Sequence, residues 1–271
     1  SGYTHQVLVR LKQTDHGILR NGIWAYTNER LCKDDLITVQ IVENECSDNI
    51  APVNLPLDIA YEDDDIIVIN KPFDMPAHPS AGNHDNTLAN ALMYYYGSQN
   101  KPFVYRCINR LDRDTTGLTI VAKHALAGGI LGNAVAKRAI HRTYYAVCSG
   151  CTPACMRISA PIARKDASTI ERCVDFKRGE NAVTDFIRIK YNPDNNLSLV
   201  KLRLLTGRTH QIRVHMKYIG FPLIGDFLYN PDYTYISRQA LHSGRLVFTH
   251  PVTGQKMNLI SDIPSDMKSL F

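Results

Sequence analysis

The most informative stretch of this sequence is RLDRDTTGL at residues 110–118. It holds two guanidinium groups, two carboxylates and two hydroxyls, directly before a β-branched run at residues 118–123 that predicts a strand. Gly117 supplies backbone freedom that other residues lack. Because Asp, Thr and Gly are also common turn residues, the stretch taken alone favours a polar turn entering a strand over a catalytic loop.

The segments on either side of this stretch predict a strand-rich fold with interspersed helices. Some strands are joined by hairpin-length turns and others by helices, unlike a regular βαβ alternation. We therefore expect an α+β class with a mixed, largely antiparallel sheet. The predicted strands are 58–61, 66–70, 118–123, 143–148, 182–189 and 198–205, and the predicted helices are 87–96, 125–138 and 208–219.

The N-terminal part of the chain predicts a separate small unit. Residues 36–42 are rich in β-branched side chains and predict a strand. Residues 47–57 contain two prolines, and because X-Pro steps are extended they predict a linker. We expect a small N-terminal subdomain at residues 1–50 and the main domain at residues 51–271.

Charge is distributed unevenly along the chain. Residues 1–100 hold 6 basic and 14 acidic residues, whereas residues 101–271 hold 25 basic and 12 acidic residues. This asymmetry suits a polyanion that contacts residues 101–271, because phosphates neutralised by Lys and Arg release counterions. A solvated face is the alternative.

The acidic run Glu62–Asp65 is typical of a solvated turn. Four basic residues at the C-terminus of the second predicted helix suit either its macrodipole or RNA contact, namely Lys137, Arg138, His141 and Arg142.

A second polar segment, TGRTHQIRVH at residues 206–215, opens the last predicted helix. Helical geometry places residues three and four apart on one face. The apolar residues predict a buried stripe at positions 212, 216 and 219. A neighbouring face, with His210, Arg213 and Lys217, suits a carboxylate or phosphates, although a solvated face has the same pattern.

Three ordered motifs resemble the RluA-like family of pseudouridine synthases. They are Arg-Leu-Asp with Thr-Thr-Gly at residues 110–117, Arg-Thr-Tyr-Tyr-Ala at residues 142–146, and residues 206–215. The similarity extends over roughly residues 58–255, through Asn70-Lys71-Pro72, GFPLIGD at 220–226, Leu241-His242 and Phe248-Thr249-His250-Pro251. Asn109 stands where the family commonly has His, and Thr116 where Ser is more usual. Neither departure removes a catalytic group.

The resemblance implies an isomerase that converts specific uridines in RNA to pseudouridine without a cofactor or metal. The reaction detaches uracil, turns it and rejoins it through carbon, so no atom or electron is gained or lost. Asp112 would be the catalytic carboxylate, either as a nucleophile on the sugar or the ring or by stabilising a sugar cation. Arg213 would keep Asp112 ionised and aimed. Tyr144 would pack on the target base and take part in proton transfer, while Tyr145 would face away.

The resemblance also implies structured RNA, ribosomal or transfer, as the partner, with no obligate protein partner. The reacting sugar carbon is inaccessible in a stacked helix, so the target must be flipped out, at a cost of about a few kcal/mol. Arg110 would fill the gap left by the base, and Arg208, His210 and Lys217 would contact phosphates. Residues 22–42 resemble part of an S4-like RNA-binding domain, in a degenerate form, and a packing subdomain is the alternative.

Two other functions fit parts of the sequence. The cysteines at 148, 151 and 155, with His141 nearby, suggest a zinc-stabilised nucleic-acid-binding module, although no second closely spaced ligand pair follows. An RNA-binding protein of the same fold without activity is the other alternative. The intact set of Asp112, Tyr144 and Arg213 speaks against it.

Membrane and secretory features are absent from the sequence pattern. No apolar stretch approaches the ~20 residues that span a bilayer. Residues 1–6 lack the charged-then-apolar pattern of a secretory signal. Seven cysteines, an odd number, fit reduced thiols better than a disulfide framework. We expect a cytoplasmic protein with no membrane role.

Overall fold

The computed structural model describes residues 5–26, 28–41, 43, 45–80, 82–166 and 170–271. Their helices and strands, in chain order, are α1 His5–Gln13, β1 Ile18–Arg20, β2 Ile23–Trp24, β3 Ile37–Val39, β4 Ile59–Glu62, β5 Ile66–Lys71, α2 Leu88–Gly97, β6 Arg106–Cys107, β7 Thr116–Ala122, α3 Ala125–Ala136, β8 His141–Ser149, β9 Cys155–Ser159, β10 Ile162–Arg164, β11 Arg172–Val174, β12 Val183–Asn192, β13 Leu197–Leu204, α4 Gln211–Tyr218, β14 Leu241–Thr249, β15 Lys256–Ile260 and α5 Ser265–Lys268.

A ten-stranded sheet forms the centre of the molecule. Its order is β4-β5-β7-β14-β8-β13-β12-β9, with β15 paired to β14 and β6 paired to β7. β7 and β14 run parallel, and the other pairs in the sheet are antiparallel. The predicted α+β class with a mixed, largely antiparallel sheet is therefore confirmed.

The apolar run of β5 shows how the sheet is covered on both faces. Ile66 and Val68 pack in one cluster with residues of α3, whereas Ile67 and Ile69 pack in another with residues of α2. All four are fully buried. Because successive strand residues point to opposite faces, a strand with helices on both sides is apolar at every position. The sheet thereby becomes a rigid support for the loops at its centre.

A three-stranded sheet, β2-β1-β3, lies in the N-terminal part of the chain. Its helix α1 packs through Val7 and Leu11 against Leu126 of α3. Arg106 also forms an ion pair with Glu43, at 2.6 Å. The N-terminal unit thus rests on the main sheet's helix layer. The strand predicted at 36–42 is shorter than expected, and Val42 and residues 1–4 lie outside the described residues.

The prediction that Glu62–Asp65 is only a solvated turn is wrong for part of this run. Glu62 accepts hydrogen bonds from Tyr95, at 2.8 Å, and from Lys123, at 3.0 Å. Asp63 accepts one from Tyr61, at 2.7 Å. These partners come from separate segments, so the acidic turn ties α2 and the end of β7 to the edge of the sheet.

No helix among the described residues is long and apolar enough to cross a membrane.

Candidate active site

The loop before β7 is fixed by its own backbone and by Asn109. The Asn109 side chain, which is buried, donates to Leu118 O at 3.2 Å and accepts from Ile120 N at 2.9 Å. The amide of Thr115 donates to Asp112 O at 3.1 Å and closes a turn. Asn109 therefore anchors the loop to the strand that follows it, which gives the residue at this position a structural role.

Gly117 sits where the loop meets the parallel neighbour strand β14. Its φ is +106°, and a Cβ atom there would lie 2.3 Å from the carbonyl oxygen of Ser243. Both the backbone angle and the close approach require glycine. The Thr-Thr-Gly part of the motif is thus explained by the junction of two parallel strands.

Three buried polar side chains hold the loop from beneath. Lys71 donates to Arg113 O at 2.9 Å, and Gln239 donates to Thr115 Oγ1 at 2.6 Å. His242 Nδ1 lies 2.9 Å from the Thr116 hydroxyl. Burial lowers the pKa of Lys71 to about 7, against the opposing charge of Asp114. The loop that carries Asp112 is therefore set by bonds to distant segments.

Arg213 of α4 lies between two carboxylates. It is 1% exposed. Its Nε and Nη2 donate to Asp226 at 2.7 and 2.8 Å, and its Nη1 donates to Asp112 Oδ2 at 2.9 Å. Burial by itself lowers the pKa of Arg213, but the hydrogen bonds and charges of Asp226 and Asp112 raise it above its usual value. The guanidinium stays charged and is aimed at Asp112.

Asp226 is the fixed side of this arrangement. Its side chain is fully buried, and besides Arg213 it accepts hydrogen bonds from the amides of Leu228 and Tyr229, both at 3.1 Å. The Asp112 carboxylate, by contrast, is 29% exposed. Arg213 is thus anchored by Asp226 and presents its remaining edge to a carboxylate that substrate can reach.

His210 stands beside Asp112, with 3.9 Å between its Nε2 and Asp112 Oδ2. Its backbone is left-handed, with φ 57°, which is uncommon for a residue other than glycine. The Tyr229 hydroxyl accepts from the Arg172 amide at 2.9 Å and lies 2.9 Å from His210 Nδ1. Tyr229 therefore orients the imidazole through Nδ1, and Nε2 faces Asp112. Burial lowers the pKa of His210, so the ring is neutral near pH 7.

Tyr144 closes the other side of the site. It is buried on the face of β8 that packs with Leu111 and Ile212, whereas Tyr145 packs in a different cluster on the opposite face. Burial raises the pKa of Tyr144, opposed by the charge of Arg142, and its hydroxyl therefore stays protonated. A cavity of about 80 Å³ lies between Asp112, Tyr144 and Arg213. The predicted catalytic residues thus share one pocket.

A larger cleft of about 930 Å³ opens outward from this pocket. Arg110, Arg138 and Arg142 line it, and among the described residues none of these has a carboxylate within ion-pair distance. Arg208 also lines it, but pairs with Glu180. Lys217 does not line the cleft; its ammonium lies over the Tyr229 ring, 5.5 Å from the centroid.

Asp226, Lys71, Gln239 and His242 were not singled out as functional from the sequence. Asp226, Lys71 and His242 belong to motif segments that carry the family resemblance, but nothing in their spacing points to Arg213 or to the loop. Their contacts join residues far apart in the chain, such as Gln239 and Thr115, which are 124 positions apart. Only the folded arrangement brings them to one site.

The cysteines do not assemble as the zinc alternative requires. Cys148 is buried, whereas Cys151 and Cys155 are exposed. In the described part of the chain, one triad has ligand atoms within 4.8 Å of one another, Asp63, Asp65 and His250. Nδ1 of His250 accepts from two backbone amides, at 3.3 and 3.1 Å, so the imidazole proton is on Nε2, the nitrogen that faces the carboxylates. A metal would need a lone pair there.

Comparison with known proteins shows which family the chain belongs to. A family model described as RNA pseudouridylate synthase matches residues 65–218. The chain is 38% identical to the Bacillus subtilis (strain 168) protein named Uncharacterized RNA pseudouridine synthase YjbO, over 100% of this chain and 95% of the relative. It is 41% identical to Ribosomal large subunit pseudouridine synthase D of Haemophilus influenzae (strain ATCC 51907 / DSM 11121 / KW20 / Rd), over 85% and 75%.

A solved structure is similar as well. Human RNA Pseudouridylate Synthase Domain Containing 1 aligns with a TM-score of 0.64 at 26% identity, covering 76% of this chain and 83% of the human chain. The fold, the sequence match and the ordered motifs agree. The chain therefore belongs to the RNA pseudouridylate synthase family, in its RluA-like branch, and is an RNA-modifying isomerase.

Proposed function

We propose that this enzyme isomerises specific uridines of ribosomal RNA, with Asp112 as its catalytic carboxylate. The observation that carries the proposal is the contact between Arg213 and Asp112, 2.9 Å long, in which the arginine is anchored by Asp226 and the aspartate remains partly exposed. A carboxylate held by a guanidinium at the wall of a pocket is suited to attack an electron-poor carbon or to stabilise a cation.

Asp112 acts by one of two routes in this proposal. In the first, its oxygen bonds to the sugar carbon as the bond from that carbon to nitrogen breaks, or it adds to the uracil ring before that bond breaks. It leaves again when the turned base bonds to the sugar through carbon, and the proton lost from that carbon is balanced by one gained at the freed nitrogen. In the second, its charge stabilises the sugar cation that forms when the bond from carbon to nitrogen breaks. Both routes end with uracil rejoined through carbon and the Asp112 carboxylate restored. Arg213 pairs with the carboxylate before the reaction and after it is restored.

Tyr144 supplies the wall for the base and a hydroxyl for proton transfer. Its ring is buried beside the small pocket, which suits packing against uracil. Because its hydroxyl is protonated near pH 7, it can donate a proton or pass one along. Tyr144 is therefore proposed to serve in catalysis with Asp112 and Arg213.

The cleft is proposed to hold the RNA around the flipped nucleotide. Arg110 lines both the cleft and the inner pocket, which suits a side chain that takes the place of the departed base. Arg208 would contact a phosphate that replaces the Glu180 carboxylate as its partner. His210, being neutral, would donate one hydrogen bond rather than neutralise charge. Lys217 would meet RNA only outside the cleft.

The class of RNA is inferred from relatives. Several curated relatives are named Ribosomal large subunit pseudouridine synthase D, which favours large-subunit ribosomal RNA over transfer RNA. We further propose that the protein works in the cytoplasm. Residues 1–50 are proposed to form a small appendage to the catalytic domain of residues 51–271, S4-like but degenerate, which their separate small sheet supports.

The test of the catalytic proposal is Asp112→Asn. We expect pseudouridine formation on a large-subunit ribosomal RNA transcript to fall on the order of 10⁴-fold or more, with RNA binding largely intact. Asp185→Asn is the matched control, because Asp185 also pairs with an arginine, Arg157, outside the site. Turnover by Asp112→Asn equal to that of the wild type would remove this residue from the mechanism.

The test of the substrate is a map of pseudouridines in total cellular RNA with and without the gene. We expect one or more positions in large-subunit ribosomal RNA to be lost, and to be restored by the purified protein on an unmodified transcript. Loss confined to transfer RNA would contradict the ribosomal assignment while leaving the chemistry of Asp112 in place.

A further inference from the structure

A further cavity adjoins the cleft and shares Asp112, Arg113 and His210 with it. Its volume is about 500 Å³, and Asp112, His210 and Arg213 form part of its wall. We call this cavity the aromatic chamber, because the half-exposed rings of Phe73, Phe227 and Tyr233 line it. It is continuous with the candidate active site through Asp112, and no role assigned above uses it.

The arginines of the aromatic chamber already have carboxylate partners. Arg113 pairs with Asp74, with 2.6 Å from its Nε to the carboxylate. Arg238 pairs with Asp266 through two bonds of 2.8 and 2.9 Å. Arg213 is shared by the two carboxylates described above. A phosphate entering this chamber would have to displace a carboxylate, whereas the cleft offers Arg110 and Arg138 without that competition.

Two of the rings are held in place by guanidinium groups. Arg213 lies 5.4 Å from the centroid of the Phe227 ring, and Arg238 lies 5.9 Å from that of Phe73. A ring fixed on one side and exposed on the other presents a flat apolar face to solvent. Tyr233, 50% exposed, adds a ring that no described guanidinium contacts in this way. Flat faces without free charge suit nucleobases rather than the RNA backbone.

The chemistry of base flipping supplies such a nucleobase. When a uridine leaves its stack, its neighbours lose one stacking partner each. Unstacked bases of single-stranded RNA are held on aromatic side chains, and this recognition tolerates different bases because each has a π-face. The chamber adjoins the carboxylate that the target sugar must approach, so a base next to the target can reach it.

We propose that the aromatic chamber is a second nucleobase site, which stacks a base adjacent to the target uridine on the same RNA strand. The inference rests on the proposed function in that the strand must first deliver a uridine to Asp112. In this arrangement the phosphates and the bases of the strand bind at different surfaces of the enzyme. Phosphates lie along the arginines of the cleft, and a neighbouring base lies on the rings of the chamber.

Photocrosslinking tests the occupant of the chamber directly. The probe is a large-subunit ribosomal RNA transcript in which 4-thiouridine replaces a fraction of the uridines, irradiated with the full chain, with crosslinked peptides identified by mass spectrometry. We expect crosslinks in peptides that contain Phe73, Phe227 or Tyr233. Crosslinks confined to cleft peptides, or none at all, would overturn the proposal. Pseudouridine formation by the wild type is measured in parallel, so a failure of the enzymatic assignment is seen separately.

Tyr233→Ala gives the kinetic test, because Tyr233 has no ring contact with Arg213 among the described residues. We expect KM for the transcript to rise about 5-fold or more, with kcat within about 2-fold, since stacking stabilises bound RNA before and during the reaction. Tyr233→Phe should restore KM, because it keeps the ring. Phe176→Ala, which removes an exposed ring elsewhere, should change neither constant. A KM for Tyr233→Ala equal to that of the wild type would contradict the proposal.

Discussion

The inner face of the site and the cleft are built on opposite principles. The inner face consists of buried polar side chains that bond one another or the catalytic loop, namely Lys71, Arg213, Asp226, Gln239 and His242. The cleft carries Arg110 and Arg138, which are exposed and lack a carboxylate partner among the described residues. The arginine of the inner face already has two carboxylate partners, whereas the cleft arginines are the proposed contacts for phosphate. The difference indicates that one set of residues orients the Asp112 carboxylate and that a different set is available to bind RNA.

Asp226→Asn is the strongest test of the difference between the inner face and the cleft. The amide would place an N–H against the guanidinium of Arg213 and leave a buried charge without its main partner. We expect the free energy of unfolding to fall by about 3–5 kcal/mol. We also expect kcat to fall on the order of 100-fold, because Asp112 loses its fixed neighbour. Urea unfolding and pseudouridine formation measure the two effects.

Asp266→Asn is the matched control for this change. Asp266 also holds a buried arginine, Arg238, through two bonds, but its side chain is 40% exposed and lies away from Asp112. We expect a stability loss of about 1 kcal/mol, because water can solvate the group left behind. Equal losses in the free energy of unfolding from Asp226→Asn and Asp266→Asn would show that the inner face depends on its buried ion pair no more than an exposed region does.

A second test uses pH to address the inner face. Burial lowers the pKa of His242 to about 4, so the folded state keeps this ring neutral below pH 6.5 while the unfolded state protonates it. Stability from this group is therefore fully present above about pH 6.5 and is lost as pH falls toward 4. The expected loss is roughly 3 kcal/mol, measured as the free energy of unfolding across this window.

His242→Gln isolates that contribution. The variant should be less stable at pH 7, because the bond to Thr116 changes, but its stability should fall less between pH 6.5 and 4. His78, His210 and His215, whose pKa values burial also lowers, contribute to the slope that remains. An unchanged slope in His242→Gln would show that this histidine is solvated enough to titrate normally.

Substitutions of the cleft arginines have the smallest expected effects, and these are measured as changes in the salt dependence of RNA binding. Arg110→Ala and Arg138→Ala should each reduce the salt dependence of RNA binding by about one unit of the log–log slope. The free energy of unfolding should stay within about 0.5 kcal/mol of the wild type, since both side chains are exposed. Arg157→Ala, which removes an arginine already paired with Asp185, should leave the slope unchanged. Equal slopes in all three variants would place the RNA elsewhere.

Sequence patterns predicted the elements whose signals are local. The helix expected at 87–96 is found at Leu88–Gly97, where Thr87 caps it, and the strand expected at 66–70 is found at Ile66–Lys71. The helix expected to begin at residue 208 begins at Gln211, because His210 takes a left-handed conformation. Apolar periodicity and capping residues report on neighbours in the chain, and they locate such elements well.

Contacts between distant segments could not be predicted in the same way. The family motifs named Asp112, Tyr144 and Arg213, and the fold brings these three to one pocket. Helical spacing placed Arg213 on a polar face, yet it is buried because Asp226 neutralises it. The spacing of charged residues along the chain does not say which of them will meet. For the same reason, the bonds that tie down Glu62 and Asp63 were not foreseen.

The sharing of Arg213 between two carboxylates has a consequence for repeated cycles of catalysis. In the covalent route proposed above, Asp112 loses its negative charge while it is bonded to the substrate, and the guanidinium still has Asp226 as a counterion. The buried guanidinium of Arg213 therefore always has a carboxylate partner, and Arg213 can keep its position between one RNA substrate and the next. The enzyme can return to its starting geometry without any rearrangement at this point.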